Sequence, residues 1–337
     1  MDWEDNHMKA VVTIAPKQSI IKEVPDPVMN DDSVKIKLKY CGVCHSERYD
    51  WLHHAGAYGH EPMGIIIEAG KNVKGLAIGD RVSGLWGSNM PGTGGMVEYA
   101  VADVRKSTII KLPDHIRDED LVVEPLACLL SAVSKAKCSM PGTKVCVVGC
   151  GYMGCGAISL LKLRGCYVVA VDIRESSRRD ALAYGADEAL TPDEALNRYV
   201  RDADGNCPIE AGFECVMEWA ETNESLDLAI QLTKMCGQLC VGAYHTGPQR
   251  EVNVQLLGVK AIDMHHTHPR ENDLLVAGAI HSVEMLDRGA WNFKNIPTMV
   301  YPMNQFDRAM TEMETKYGHY LKALINMEMA DGEPYLV

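Results

Sequence analysis

KVCVVGCGYMGCGAISLLKLRGCYVVAVD, residues 144–172, decides how the larger part of this chain folds. Its opening KVCVVG reads as a buried strand, Gly154 to Arg164 as a helix, and the closing YVVAVD as a second strand. Three glycines stand between the first strand and the helix. Gly149 permits a tight turn, Gly151 lets the backbone approach a pyrophosphate, and Gly154 lets helix and strand pack closely. The helix N-terminus behind them favours an anion. Tyr152 and Met153 share the turn and are expected to contact the same cofactor. Asp172 ends the second strand, where an acid accepts hydrogen bonds from the adenosine ribose, with Ile173 and Arg174 beside it. A carboxylate there repels a 2′-phosphate and predicts NAD, while Arg174, Arg178 and Arg179 keep NADP open.

Moving outward, EAL, AGFECV, QLCVG and KAIDM continue as short apolar strands separated by helical segments, and residues 126–137 read as a helix ahead of them. This alternation predicts a doubly wound parallel sheet, a Rossmann domain, over residues 126–266. Upstream the pattern differs. KAVVTI, SVKIKLKY, GIIIEAG, GDRVSGLW and MVEYAVAD alternate with turn signals and predict an antiparallel, partly closed β domain over residues 1–125. Residues 267–337 carry two amphipathic helices, at 272–288 and 304–316, and the strand-like YLKALINM, which is expected to return to the first domain. The class is α/β.

Composition narrows the partners. Against 33 basic residues stand 46 acidic ones, a formal net charge of −13, which repels phosphate backbones and anionic lipid alike. Nucleic acid and membrane are therefore poor partners, and a small molecule is expected. The start MDWEDNH lacks the basic and apolar run of a signal peptide, so a cytoplasmic protein with reduced thiols is expected. Of the 12 cysteines, Cys138, Cys146, Cys155, Cys166, Cys207, Cys215, Cys236 and Cys240 read as small buried hydrophobes.

The remaining chemistry lies in YCGVCHSERYDW. Cys41 and Cys44 form a CxxC pair that suits half a zinc finger, a redox motif or two buried thiols. A finger needs a second pair, and the chain has none at suitable spacing. It offers instead Gly59-His60-Glu61 and, before the nucleotide domain, Val123-Glu124-Pro125.

With CGVCHSE, GHEPMGIIIEAG, GDRV, EPLA and GxGxxG in this order, the chain from Met8 onward resembles the zinc-dependent medium-chain alcohol and polyol dehydrogenases, in their sorbitol/threonine dehydrogenase-like branch. The resemblance implies a GroES-like catalytic domain beside the Rossmann domain, NAD, and one catalytic zinc held by Cys44, His60 and either Glu61 or Glu124. Glu47 stands where relatives place the acid that holds the histidine ligand's other ring nitrogen. Ser46 matches the hydroxyl of a proton relay, and Tyr49 occupies the position where relatives often have a histidine. His45, Val241, Gly242, Ala243 and Lys322 match cofactor contacts, Lys322 at the pyrophosphate.

Cys41 reads as a packed thiol, and LWGSNMPGTGG after Gly84 lacks the cysteines of a structural zinc lobe. His265, His268 and Arg270, in HHTHPR, are expected to line the substrate site at the domain seam. The implied reaction is hydride transfer between NAD(H) and a small polar secondary alcohol or ketone, in a homodimer or homotetramer. Two alternatives stay open: a zinc-free quinone or enoyl reductase of the same superfamily, and a catalytically silent NAD-binding sensor.

Overall fold

The computed structural model describes residues 7–86, 94–138, 140–268, 272–315 and 320–337. It divides into two compact units. One comprises Met1–Ala127, Ala279–Arg288 and Lys294–Val337, the other Cys128–Gly278 and Gly289–Phe293.

The second unit is built on a six-stranded parallel sheet in the order Glu188–Leu190, Tyr167–Val171, Lys144–Val148, Phe213–Glu218, Thr233–Val241, Asp263–His266. In chain order that is 3-2-1-4-5-6, the doubly wound arrangement expected. Val147, Val169, Ala170 and Val216 are fully buried because helices cover a parallel sheet on both faces. The order reverses between Lys144–Val148 and Phe213–Glu218, and the carboxyl ends of these two strands open the crevice where such sheets bind ligands.

The first unit has a two-stranded ribbon, His7–Ala15 with Gln18–Pro25, and a larger sheet. In that sheet Ser33–Gly42 is the hub. It pairs antiparallel with Pro62–Ala69, Tyr99–Asp103 and Lys322–Asn326. The path runs on through Arg81–Leu85 to Thr108–Lys111 and, on the other side, through Thr298–Pro302 to Tyr335–Leu336. Thr298–Pro302 and Lys322–Asn326 run parallel, so the sheet is mostly, not wholly, antiparallel. Ile36, Leu38, Ile66, Trp51, Tyr301 and Phe306 join one core in which each is at most 3% exposed.

Two of the cysteine expectations need correction. Cys207 and Cys236 are exposed, unlike the other cysteines grouped with them. Cys207 lies just past the polar turn at residues 202–206, and Cys236 takes a left-handed backbone (φ 57°) that turns it out of the core. Among the described residues no helix is long and apolar enough to cross a membrane.

Candidate functional site

Strand register assembles the first cluster. Cys41 lies opposite Pro62 on one side and Ile325 on the other. The carboxyl end of Ser33–Gly42 therefore meets the start of Pro62–Ala69 and the start of Lys322–Asn326, and the backbone bonds Gly42 N to Glu61 O (2.8 Å) and Val43 N to Ala323 O (3.0 Å) lock that junction. Cys44, Glu61 and Lys322 are delivered to one end of one sheet.

His60 arrives from the adjoining loop, with Gly59 held left-handed (φ 100°) because a side chain there would strike Met96 and Cys41. One oxygen of Glu47 accepts from the Gly59 amide at 2.7 Å and pairs with His60 Nδ1 at 2.8 Å. That bond keeps a proton on Nδ1, so that Nε2 is the nitrogen a metal would take in place of the imidazolium's second proton. Among the described residues, Cys44, His60 and Glu61 form the single group whose ligand atoms, one from each residue, all lie within 4.8 Å of one another.

The electrostatics suit a cation. Burial pulls the His60 imidazolium toward neutrality, yet Cys44 and Glu47 more than offset it and its pKa is raised. Lys322 behaves alike: burial lowers its pKa, while Glu61, Cys44 and Glu124 hold it above the ordinary lysine value. Its ammonium pairs with Glu61 and donates to the Val43 carbonyl at 3.3 Å. A thiol, an imidazole and a carboxylate are the donors zinc prefers, and positive charge is what this cluster draws.

Ser46 donates to Cys44 Sγ at 3.2 Å. Tyr49 packs on His53 in a tilted arrangement with ring centroids 4.3 Å apart, and His45 opens the short 3-10 helix His45–Glu47. Cys41 is fully buried, and burial pushes its thiol up to about 12. Glu124, in the first turn of Val123–Ser134, acts on the cluster through its charge on Lys322. Lys322, read from sequence as a pyrophosphate contact, has its charge engaged by Glu61.

The second cluster is the crevice of the parallel sheet. Gly149 is left-handed (φ 89°), and a Cβ there would stand 2.7 Å from Ala220 N. A Cβ on Gly154 would overlap the Gly149 carbonyl oxygen. Gly151 caps the helix Tyr152–Leu163, whose first turn holds no acid, so no carboxylate of that turn competes with an anionic ligand for the positive end of the helix dipole. Asp172 is 7% exposed and accepts from Cys150 N at 2.9 Å and Arg174 N at 2.8 Å. Arg174 Nε reaches the same carboxylate at 3.3 Å, and Arg178 donates to the Asp172 carbonyl at 2.9 Å. Both guanidinium groups thus brace the acid. Tyr152 packs on Phe293 at 5.2 Å, and Ile173 is 79% exposed.

Val241 and Ala243 are buried, and Gly242 N and Ala243 N both donate to the Glu218 carbonyl. Around Glu218 lies a network that sequence reasoning missed. Glu218, fully buried, accepts from Ala220 N, Glu221 N and the Ser225 hydroxyl, each at 2.8 Å, and from His245 Nε2 at 2.8 Å. Arg250 donates to His245 Nδ1 at 3.3 Å. Glu221 and His245 are both left-handed (φ 65° and 52°), a strained backbone of the kind that gathers at ligand sites. The one signal in sequence was an acid ending a mostly apolar strand. His265 lies on the edge strand 3.8 Å from Cys240 Sγ, and His268 packs against Tyr244 at 5.0 Å. Arg270 lies outside the described residues.

Comparison with known proteins finds matches in both units. Residues 30–114 match the alcohol dehydrogenase GroES-like domain, and residues 153–273 the zinc-binding dehydrogenase domain. An alcohol dehydrogenase of Geobacillus stearothermophilus is 29% identical over 273 residues, 69% of this chain and 76% of that protein. A sorbitol dehydrogenase of Halalkalibacterium halodurans is 25% identical, over 90% of this chain and 94% of that protein. In fold, the chain is similar to 2R,3R-butanediol dehydrogenase from Bacillus subtilis, with a TM-score of 0.75 at 22% identity over 95% of this chain and 99% of that one.

Proposed function

The chain belongs to the zinc-dependent medium-chain alcohol and polyol dehydrogenases, and from that premise we propose that it transfers a hydride between NAD(H) and a small polar secondary alcohol or its ketone. The observation that carries the reading is the group Cys44, His60 and Glu61, with His60 oriented by Glu47. A thiol, an imidazole and one carboxylate leave a fourth position open, the arrangement of catalytic and not structural zinc sites. Zinc bound there would supply Lewis acidity toward an alcohol oxygen, and a nicotinamide cofactor would supply the hydride acceptor.

The residues have distinct tasks in this reading. Cys44 and His60 hold the metal, with Glu61 or Glu124 as third ligand. Glu47 fixes the imidazole's orientation. Ser46, next to the thiolate, carries the hydroxyl proton outward, and Tyr49 and His45 stand beyond it. On the nucleotide unit Gly149, Gly151 and Gly154 admit the pyrophosphate, and Asp172 takes the ribose hydroxyls and selects NAD. Val241, Gly242 and Ala243 border the nicotinamide, and His265 and His268 offer a polar lining to a hydroxylated substrate. The enzyme is expected to work in the cytoplasm as a homodimer or homotetramer.

The test is metal analysis of the purified protein with an NAD reduction screen over sugar alcohols, cyclitols, amino alcohols and simple secondary alcohols. One zinc per chain is expected, with kcat/KM in Cys44→Ala lower by at least about a thousandfold, roughly 4 kcal/mol of transition-state stabilisation. Protein devoid of zinc together with an unaffected Cys44→Ala would falsify the reading in favour of a zinc-free reductase. Zinc and NAD binding without turnover of any alcohol would favour a sensor.

A further inference from the structure

We propose that Ser83 is a positioning residue of the metal centre, its one hydroxyl fixing the spacing between the backbones that carry the two candidate carboxylate ligands; this rests on the zinc reading above. Ser83 lies in the middle of Arg81–Leu85, opposite Met63, and is fully buried. Its hydroxyl donates to the Pro62 carbonyl at 2.7 Å and accepts from the Val123 amide at 3.0 Å.

Pro62 directly follows Glu61, and Val123 directly precedes Glu124. A two-bond bridge through one oxygen therefore joins the segment bearing Glu61 to the segment bearing Glu124. Only a group that donates and accepts at once can make it. The amide it satisfies belongs to the first turn of Val123–Ser134, where helical amides have no partner within their own helix.

The bridge holds the two acids at a set separation around one metal. Glu61 is further constrained by Lys322 and by the Gly42 amide on its carbonyl. On the Glu124 side, Ser83 connects the start of a helix to the sheet that supplies the other ligands. Without the hydroxyl, the Val123 amide is left buried and unsatisfied, and the helix start shifts to find a partner. Replacing a group that orients a metal ligand typically costs about 10–100-fold in metal affinity.

The experiment compares wild type, Ser83→Ala, Ser83→Cys and, as control, Ser282→Ala, which removes another fully buried serine hydroxyl of the same unit, bonded to the Ala279 carbonyl. Zinc release to a chromophoric chelator, the absorption of the cobalt-substituted protein, and NADH binding by fluorescence are measured. Ser83→Ala is expected to release zinc about tenfold faster or more, with shifted cobalt bands and unchanged NADH affinity.

Ser83→Cys, which keeps a donor–acceptor group of slightly larger size but replaces short hydroxyl bonds with long, weak thiol ones, is expected to change in the same direction and carries the test if Ser83→Ala does not fold. Zinc retained by both Ser83 variants as firmly as by wild type, or lost equally by Ser282→Ala, overturns the proposal. Wild type without zinc overturns the metal reading and this one with it. A zinc-replete wild type beside indifferent Ser83 variants overturns this one alone.

Discussion

The two clusters are built on opposite principles. Around Cys44, His60 and Glu61 the site consists of side-chain donors, and the backbone serves to bring their atoms within 4.8 Å. At the glycine turn, residues 149–154, the site consists of backbone, and the side chains matter by being absent: a Cβ on Gly154 has nowhere to go. A donor cluster fails when a ligand's chemistry changes. A backbone cradle fails when volume is added. The charges differ as well. The first cluster gathers thiol and carboxylates and draws a cation, whereas the second presents backbone amides at a helix N-terminus and draws an anion.

This contrast makes the two sites separately breakable. Gly154→Ala should weaken NAD binding by at least about a hundredfold, roughly 2.7 kcal/mol, while zinc stays stoichiometric; fluorescence titration and metal analysis read the two. Zinc lost along with NAD would break the separation. Gly42→Ala tests the reverse case, because a Cβ there would overlap the Glu61 carboxylate. It should cost about tenfold in zinc affinity with little change in the NAD dissociation constant. An effect on NAD alone would show that Glu61 does not belong to the metal cluster.

An effect of the same size is expected of Asp172→Asn. It retains an acceptor for Cys150 N but loses the charge facing Arg174, and should shift the NAD to NADP ratio of kcat/KM by about tenfold toward NADP. An unchanged ratio would mean that the cradle selects its cofactor by shape alone.

How far each site could be read in sequence depends on how its parts are joined. The dinucleotide turn lies in one run, and each glycine's task is set by neighbours within that run, so strand, turn, helix and acid were all legible. Most strand positions were legible for the same reason. Thr298–Pro302 and Tyr335–Leu336 were not read, and two further exceptions are instructive: Gln18–Pro25 is a largely exposed ribbon strand without the apolar alternation that announces a buried face. Thr108–Lys111 is too short for its pattern to stand out. The candidate metal ligands were legible as motifs, by resemblance, but their convergence was not. It depends on Cys41 facing both Pro62 and Ile325, a register that only the folded sheet sets.

The groups missed altogether share a trait. Ser83, Glu218, His245 and the Lys322–Glu61 pair each act on partners distant in sequence or on backbone atoms. A serine in a strand or a histidine in a loop carries no mark of which carbonyl or carboxylate it will face.

By itself the sequence determined the α/β class and the glycine turn with its acid, since these depend on local periodicity and on the chemistry of single side chains, and through the resemblance of its motifs it pointed to the residues for one metal. The tertiary structure alone decided that Glu61 joins Cys44 and His60, that Lys322 spends its charge on Glu61, and that one buried hydroxyl spans the two acid-bearing segments. The reason is physical: a hydrogen bond or ion pair acts over about 3 Å of space and is indifferent to the length of chain between its partners.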